Sequence, residues 1–446
     1  MREIVVNVSG IDSKGRAYTF HEGKRIYIKY GVPGDILRIR PYAVRKGRRG
    51  RNIEYWADVI EVMKPGESRI EPLCSHFGVC GGCRFQNMDY KAQLDYKRWV
   101  SEHFFHKVYR LDVELGDVIP SPKIYFYRNR MDFPVGLVDG DVGIGLKMAG
   151  RWDVLVPLSE CYLMSEEAVE IIKRVREFMV DRGIEPYNIF KHEGLVRYVV
   201  VREGKFTGDR LISIVTSDRP FPYIEELVDK LSKYATGIIW SINPTLTDIS
   251  IGREIRALYG KDHLEEEIRG VRYHIHPNAF FQTNSYQAVN MVEIVREMAS
   301  GGSIFMDLYS GVGLFSLQLL DMYSDIIAVE VDEYSIYSAE INVKRVGGGV
   351  SVFKGRVEDV LPLYTDKQPD TVIVDPPRPG LSLDVKRDLL RLKPKEIIYV
   401  SCNPETMARD IKYLSDEYDV EGEVRLIDMF PHTPHIELIA KLVVKV

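Results

Sequence analysis

Short stretches in which apolar and polar residues alternate open the chain: IVVNV, RIYIKY, DILRIR and YWADVIEVM, separated by turns such as Val32-Pro33-Gly34-Asp35. A period of two between turn residues predicts strands with one buried face, here four or five antiparallel strands in a small barrel over residues 1–62. The pattern breaks at Lys64-Pro65-Gly66, and past a cysteine-bearing loop the run YKAQLDYKRWVSEHFF predicts a helix from about Tyr90 to Phe105. Residues 63–268 read as a mixed α/β central domain, with strands around 131–138, 196–202 and 211–216 and helices near 165–181 and 222–233. From residue 269 the rhythm becomes strand, helix, strand: IFMDLY (304–309), IIAVE (326–330), SVFKG (351–355), TVIVD (371–375), IIYVS (397–401), then VRLIDMF and HIELIAKLVV. Apolar, β-branched runs alternating with helices predict a Rossmann-like, seven-stranded α/β domain over 269–446, doubly wound and covered on both faces.

Length and composition fit two or three globular domains in 446 residues. The net charge of −5 speaks against a nucleic-acid partner until it is mapped along the chain. Residues 1–62 hold thirteen Lys/Arg against seven Asp/Glu, a local balance of +6 that leaves −11 for the remainder. Arg38 to Arg51 carries seven basic residues and no acidic one, the footprint of a phosphate-binding surface as well as of a solvated loop. No apolar run of about 18 residues predicts a membrane span. The start, MREIVVNVSG, does not read as a signal peptide. Five cysteines are too few for a secreted disulfide scaffold and point to the cytoplasm, where thiols serve metals or catalysis. High usage of Glu, Lys, Arg, Ile and Val hints at a thermophilic source.

Candidate chemistry clusters where the late strands end. Asp307-Leu-Tyr-Ser-Gly311-Val-Gly313 follows the first of them and opens a helix, so glycines there let a ligand approach the backbone. Glu330 lies nineteen residues after Gly311, at the end of the second strand, where a carboxylate can accept both ribose hydroxyls. A dinucleotide site would normally carry a third glycine three residues after Gly313; Ser316 stands there, which favours S-adenosylmethionine. Asp375-Pro-Pro-Arg378 ends the fourth strand on the same edge, its prolines aiming Asp375 into the crevice. Amino-group methyltransferases usually end the related tetrad with an aromatic; Arg378 in its place speaks against exocyclic-amine chemistry.

Ser401-Cys402-Asn403-Pro404 ends the next strand and sets a thiol beside Asp375. A lone cysteine is more often inert core than nucleophile. Placed here, it suits methylation at a weakly nucleophilic ring carbon such as uracil C5: thiolate addition at C6 makes C5 an enolate carbon, and a general base then removes the C5 proton. Glu437, just ahead of the apolar strand LIAKLVV, is a candidate base whose desolvation would raise its pKa, with His432 and His435 as competitors. The other four cysteines, Cys74-x5-Cys80-x2-Cys83 and the remote Cys161, suit zinc or an iron–sulfur cluster. A zinc ribbon would show a second C-x2-C, and the radical-enzyme spacing C-x3-C-x2-C is absent.

FFQTN (280–284), DLYSGVG (307–313), DPPRPG (375–380), SCNP (401–404) and DMFPHTPHIE (428–437) together resemble the RNA uracil-C5 methyltransferase family, whose members act on tRNA and large-subunit rRNA. The resemblance implies Cys402 as nucleophile and Glu437 as proton acceptor. It implies Gln282, Tyr309, Gly311, Glu330 and Asp375 at the S-adenosylmethionine site, with Gln282 and Asp375 also near the target base. Ser310 departs from the cysteine that relatives often carry, and Leu314 stands where some relatives are polar. C-x5-C-G-G-C with a distant cysteine resembles the cluster motif of part of the family, which implies that Cys74, Cys80, Cys83 and Cys161 hold a [4Fe–4S] cluster with a structural or RNA-contacting role. The N-terminal barrel resembles the TRAM module, an OB-like RNA-binding fold.

The expected function is therefore methylation of a uridine in RNA by a protein acting as a monomer, the base flipping out of its loop to reach the crevice. The thermophilic composition leans the choice toward the T-loop uridine of tRNA, with 23S rRNA as the alternative. Cytosine enzymes of RNA usually place Pro before the nucleophile, and Ser401 precedes Cys402. A different class, an iron–sulfur RNA-binding protein without activity, would have no reason to keep Cys402, Glu437 and DPPR together.

Overall fold

The computed structural model describes residues 2–46, 52–364 and 366–445. The first segment is a six-stranded sheet in the order Ile4–Asn7, Ile36–Lys46, Asn52–Lys64, Lys24–Ile28, Ala17–His21, Gly10–Ile11. It curls until its ends meet: Ser9 N–H donates to the Tyr18 carbonyl at 2.8 Å, and the Thr19 hydroxyl to the Asn7 carbonyl at 2.7 Å. Val6, Val8, Ile26, Ile28, Leu37 and Ile39 fill the interior. One pairing differs from the antiparallel expectation, because Lys24–Ile28 runs parallel to Asn52–Lys64. Both kinds of neighbour give the same period of two, so alternation cannot tell them apart.

Part of the basic stretch is matched inside this barrel. Arg38 pairs with Glu61 at 3.0 Å and Arg40 with Glu3 at 2.7 Å. Residues 47–51, which carry the rest of that stretch, lie outside the described residues. The break at Lys64-Pro65-Gly66 is a fixed joint. The buried Asp35 carboxylate accepts the Val32 and Gly66 N–H groups at 2.7 and 2.9 Å and the Arg69 guanidinium at 2.8 and 2.6 Å.

The central segment holds a seven-stranded sheet in the order Arg151–Pro157, Asp141–Met148, Arg130–Val138, Val196–Glu203, Arg210–Thr216, Gly237–Ile242, Glu254–Gly260. Helices Glu166–Asp181 and Ile224–Leu231 pack against it over a core that includes Phe133, Ile172, Phe178, Val199 and Ile214. A separate hairpin pairs Leu264–Ile268 with Val271–Ile275.

The C-terminal segment supplies seven strands: β1 Gly302–Leu308, β2 Tyr323–Glu330, β3 Val350–Lys354, β4 Thr371–Val374, β5 Glu396–Ser401, β6 Tyr418–Ile427 and β7 Glu437–Val444. They pair in the order β3-β2-β1-β4-β5-β7-β6, all parallel except β7, which runs antiparallel to both neighbours. An eighth strand, Glu114–Ile119, joins β6 from the central segment. Alternate residues enter opposite cores. Met306, Leu308, Val372, Val374, Ile397 and Tyr399 face one layer, while Phe305, Ile373, Ile398 and Val400 face the other. Both faces are covered, which is why these strands read as continuous apolar runs.

The helix Tyr90–Glu102, continued by a π-helical turn over His103–Val108, belongs to this C-terminal layer through the buried Phe105. Its Lys97 is fully buried and donates to Asp428 and to the Phe430 carbonyl. No helix among the described residues is long and apolar enough to cross a membrane.

Candidate active site

Four strand ends and two loops meet at the carboxyl edge of the C-terminal sheet. After β1 the chain turns through Tyr309, Gly311 and Gly313, all at positive φ (68°, 56° and 87°). The Tyr309 and Ser310 N–H groups both donate to the Val329 carbonyl at 3.0 Å. A Cβ on Gly311 would have no neighbour within 4 Å, so this turn lies open to a ligand. Glu330 closes one side: its carboxylate accepts the N–H groups of Gly311 at 2.9 Å, Val331 at 2.7 Å and Asp332 at 2.8 Å.

Beneath the turn, one Asp307 oxygen is held by the Ser316 N–H at 3.0 Å and hydroxyl at 2.5 Å. The other oxygen, Oδ1, is buried without a partner, as is Ser310 Oγ. Burial pushes the Asp307 carboxyl up to about 6. A cavity of about 490 Å³ opens beside Tyr309, lined also by Glu358, Pro377, Pro379, Gly380 and Lys386. Orphaned acceptors, an anchored carboxylate and an open turn suit a cationic nucleoside such as a sulfonium carrying an amino-acid tail. Glu358 and the orphaned oxygen of Asp307 went unrecognised in the sequence. The position of Asp307 at the head of the glycine turn was the available signal.

The antiparallel register of β5 and β7 sets Ser401 opposite Leu438. Cys402 follows Ser401 directly and Glu437 precedes Leu438 directly, so the two lie just beyond the end of this ladder, close enough for the Glu437 charge to act on the thiol. Asn403 caps the helix that begins at Pro404, accepting the Glu405 N–H at 3.1 Å, so the chain turns away directly after Cys402. The thiol is half-buried; desolvation and the neighbouring Glu437 push it up to about 11, while Arg378 acts in the opposite sense. Glu437 is buried, and desolvation with Asp375 nearby raises its carboxyl well above the usual range. Asp375 is likewise raised by desolvation and by Asp307, and receives the Gln282 amide at 3.3 Å. Cys402, Glu437, Asp375 and Gln282 thus form one electrostatically connected group.

The histidines stand differently. His432 is buried, with Nδ1 3.2 Å from the Gln93 amide nitrogen and its ring stacked on Tyr125 at 4.5 Å. His435 is exposed, edge-on to Phe430.

Long-range polar contacts, which no local pattern announces, hold the loop carrying Gln282. The buried Arg202 donates to the carbonyls of His276, Pro277 and Ala279 at 2.9, 3.0 and 2.9 Å. The Asn129 amide donates to the Gln282 carbonyl at 2.7 Å.

The family model described as tRNA (Uracil-5-)-methyltransferase matches residues 246–360 and 353–444. The tRNA (uracil(54)-C(5))-methyltransferase of Pyrococcus horikoshii is 38% identical over 424 residues, which cover 94% of this chain and 96% of that protein. The chain belongs to the RNA uracil-C5 methyltransferase family. The 23S rRNA (uracil(747)-C(5))-methyltransferase of the same organism is 35% identical over 94% of this chain and 95% of its own length. Among solved structures, the Pyrococcus abyssi tRNA (uracil-54, C5)-methyltransferase in complex with S-adenosyl-L-homocysteine covers 99% of this chain and 100% of its own, with 34% identity and a TM-score of 0.80.

In this family member the four remaining cysteines also come together. Cys74, Cys80, Cys83 and Cys161 line one small pocket with Phe77, Leu146 and Leu163. All five cysteines are free thiols. A Cβ on Gly81 would meet the Lys147 carbonyl oxygen at 2.9 Å, so the Gly-Gly pair lets this loop lie against the central sheet. Desolvation and the other sulphurs push the Cys80 thiol up to about 11. Among the described residues, the one trio of His, Cys, Asp or Glu ligand atoms gathered within 4.8 Å is Asp262, His263 and His274, so the four thiols are spread wider than that. The two histidine rings of the trio stack 4.1 Å apart at 24°.

Proposed function

We propose that this protein methylates C5 of a uridine in RNA, with Cys402 as covalent nucleophile and Glu437 as proton acceptor. The observation that carries this reading is the gathering of Cys402 and Glu437, each one residue beyond the last β5–β7 pair, within the electrostatic reach of Asp375 and Arg378. Bound S-adenosylmethionine supplies an electrophilic methyl group, held by Glu330, Tyr309, Gly311 and the unpartnered Asp307 oxygen. Cys402 adds to C6 of the flipped base, and Arg378 favours the thiolate form. Gln282 and Asp375 orient the uracil edge. Once C5 carries the methyl group, Glu437 takes the C5 proton, the C5=C6 bond re-forms and the C6–Sγ bond breaks.

We favour the T-loop uridine of tRNA as the target, because similarity is marginally greater to the tRNA enzyme, 38% against 35% for the rRNA enzyme. The N-terminal barrel is read as a TRAM module that grips the phosphate backbone. The four-cysteine pocket fits a [4Fe–4S] cluster better than zinc. A single tetrahedral zinc brings its sulphurs to about 3.8 Å, given Zn–S bonds of about 2.3 Å. A cubane carries its thiolates on outer corners and so further apart, and that no three of these sulphurs lie within 4.8 Å of one another favours it.

Incubation with radiolabelled methyl donor and either tRNA or 23S rRNA transcripts, followed by nucleoside digestion, tests the reading. The expected product is 5-methyluridine from the tRNA T-loop; any other methylated nucleoside overturns it. Iron and sulfide analysis of anaerobically purified protein tests the cluster, and a zinc-only preparation overturns that part.

A further inference from the structure

The four-cysteine module and the turn that carries Glu437 are joined from two sides. Cys83 is followed by Arg84 and Phe85, whose N–H groups both donate to the His432 carbonyl, at 2.9 and 3.0 Å. Cys161 is followed by Tyr162 and Leu163, whose carbonyls accept the N–H groups of Phe126 at 2.7 Å and Arg128 at 2.9 Å. The segment so held presents the Tyr125 ring, stacked on His432 at 24°, and the Tyr127 hydroxyl, which donates to the Pro431 carbonyl at 3.1 Å. Gln93 completes the clamp by accepting the His432 N–H at 2.8 Å.

His432 sits at φ 65° and is 1% exposed. A non-glycine residue keeps a left-handed backbone only where its surroundings impose it. Here the imposing groups are Arg84 and Phe85 directly after Cys83, the segment 125–127 that the residues after Cys161 hold, and Gln93 of the helix Tyr90–Glu102. Glu437 lies five residues further on, at the first position of β7. Cys402, the glycine turn and Glu330 stand at other strand ends of the same sheet.

We propose that His432 is a positioning residue for Glu437, and that the four-cysteine module acts on the reaction through it by clamping the turn 428–436 from both sides. This rests on the reading of Glu437 as proton acceptor. The step it governs is the last one: the C5–H bond breaks toward the Glu437 carboxylate, its electron pair forms the C5=C6 bond, and Cys402 leaves as thiolate. Loosening the clamp slows that step and spares the earlier addition and methyl transfer, so methylated protein–RNA adduct accumulates.

The test compares Tyr125→Leu, Tyr125→Phe and Gln93→Leu in the full-length protein, with Glu437→Gln as reference, and reads the fraction of RNA trapped as denaturation-resistant methylated adduct. Tyr125→Leu and Gln93→Leu should raise that fraction roughly tenfold or more, as a misplaced catalytic group does. Tyr125→Phe, which keeps the stacked ring, should restore it. Loss of turnover in Tyr125→Leu without adduct overturns the proposal. Absence of adduct in Glu437→Gln itself overturns instead the reading of Glu437.

Because Gln93 is buried and its variant can fail to fold, a second measurement follows hydrogen exchange of residues 428–437 in protein with an intact module and after oxidative stripping with a chelator. Exchange there should rise roughly tenfold while β5 is unchanged, since local opening exposes only the released segment. Unchanged exchange in the turn overturns the link to the module.

Discussion

Cys402 and Glu437 each lie one residue beyond the Ser401–Leu438 pair that ends the β5–β7 ladder, and the Glu437 charge acts on the Cys402 thiol. Because β7 runs antiparallel to β5, it begins where β5 ends, and the proposed nucleophile and base share one edge of the sheet. Cys402→Ala should therefore lower turnover by at least about a thousandfold and leave no covalent adduct, as loss of a nucleophile does elsewhere. Single-turnover methyl transfer checks this, and residual turnover near the wild-type rate would contradict it.

The pH dependence follows from the same burial. Both groups act deprotonated, and both are shifted upward, the thiol to about 11 and the Glu437 carboxyl well above its usual range. A thiol pushed up to about 11 is mostly protonated at neutral pH, so its thiolate gains as pH rises, and the upward shift of the Glu437 carboxyl acts in the same direction. The single-turnover rate should climb with pH from about 6 to 9, by up to roughly tenfold per unit where one group limits. A flat profile over that range would show that the groups are already ionised.

Glu330 offers a contrast in binding. Its carboxylate already accepts three backbone N–H groups, so its position is set before any ligand arrives. Glu330→Gln removes the charge and one acceptor oxygen. Affinity for S-adenosylmethionine should fall roughly 10- to 100-fold, the scale of a lost hydrogen bond to a charged group. Isothermal titration measures it, and kcat at saturating donor should change much less.

Lys97 and Asp428 tie the helix Tyr90–Glu102 to the turn before β7, with the Tyr90 hydroxyl donating to the same carboxylate at 2.7 Å. Lys97→Met leaves a buried carboxylate without its cation, at a cost of about 3–5 kcal/mol. Thermal and denaturant unfolding should show a large loss. Adding Asp428→Asn should recover part of it, because the uncompensated charge is then gone.

The C-terminal layer was legible because its strands are buried on both faces and end at recognisable punctuation. Asn403 and Pro404 start a helix directly after Cys402, and the glycine turn follows β1. The strand Asp141–Met148 escaped notice because Gly143 and Gly145 interrupt it; a Cβ on Gly145 would meet the Val156 carbonyl oxygen of the neighbouring strand at 2.0 Å. Strand Glu114–Ile119 is assigned to the C-terminal sheet by pairing with β6, more than three hundred residues away, and no local pattern carries that. The same holds for Arg202, Asn129, Lys97 and Gln93, polar residues whose partners lie in other layers. The motifs point to the strand ends where the candidate residues gather, and long-range contacts that the sequence does not show hold those strand ends and loops in place.

The most direct test of the account is the fate of RNA on Glu437→Gln. With tRNA transcript and labelled methyl donor, this variant should trap a denaturation-resistant complex in which Cys402 is bonded to a uracil that already carries the new methyl group. Mass analysis of the digested complex identifies both the cysteine and the methyl. A complex through another residue, an adduct without the methyl group, or product release at the normal rate would contradict it.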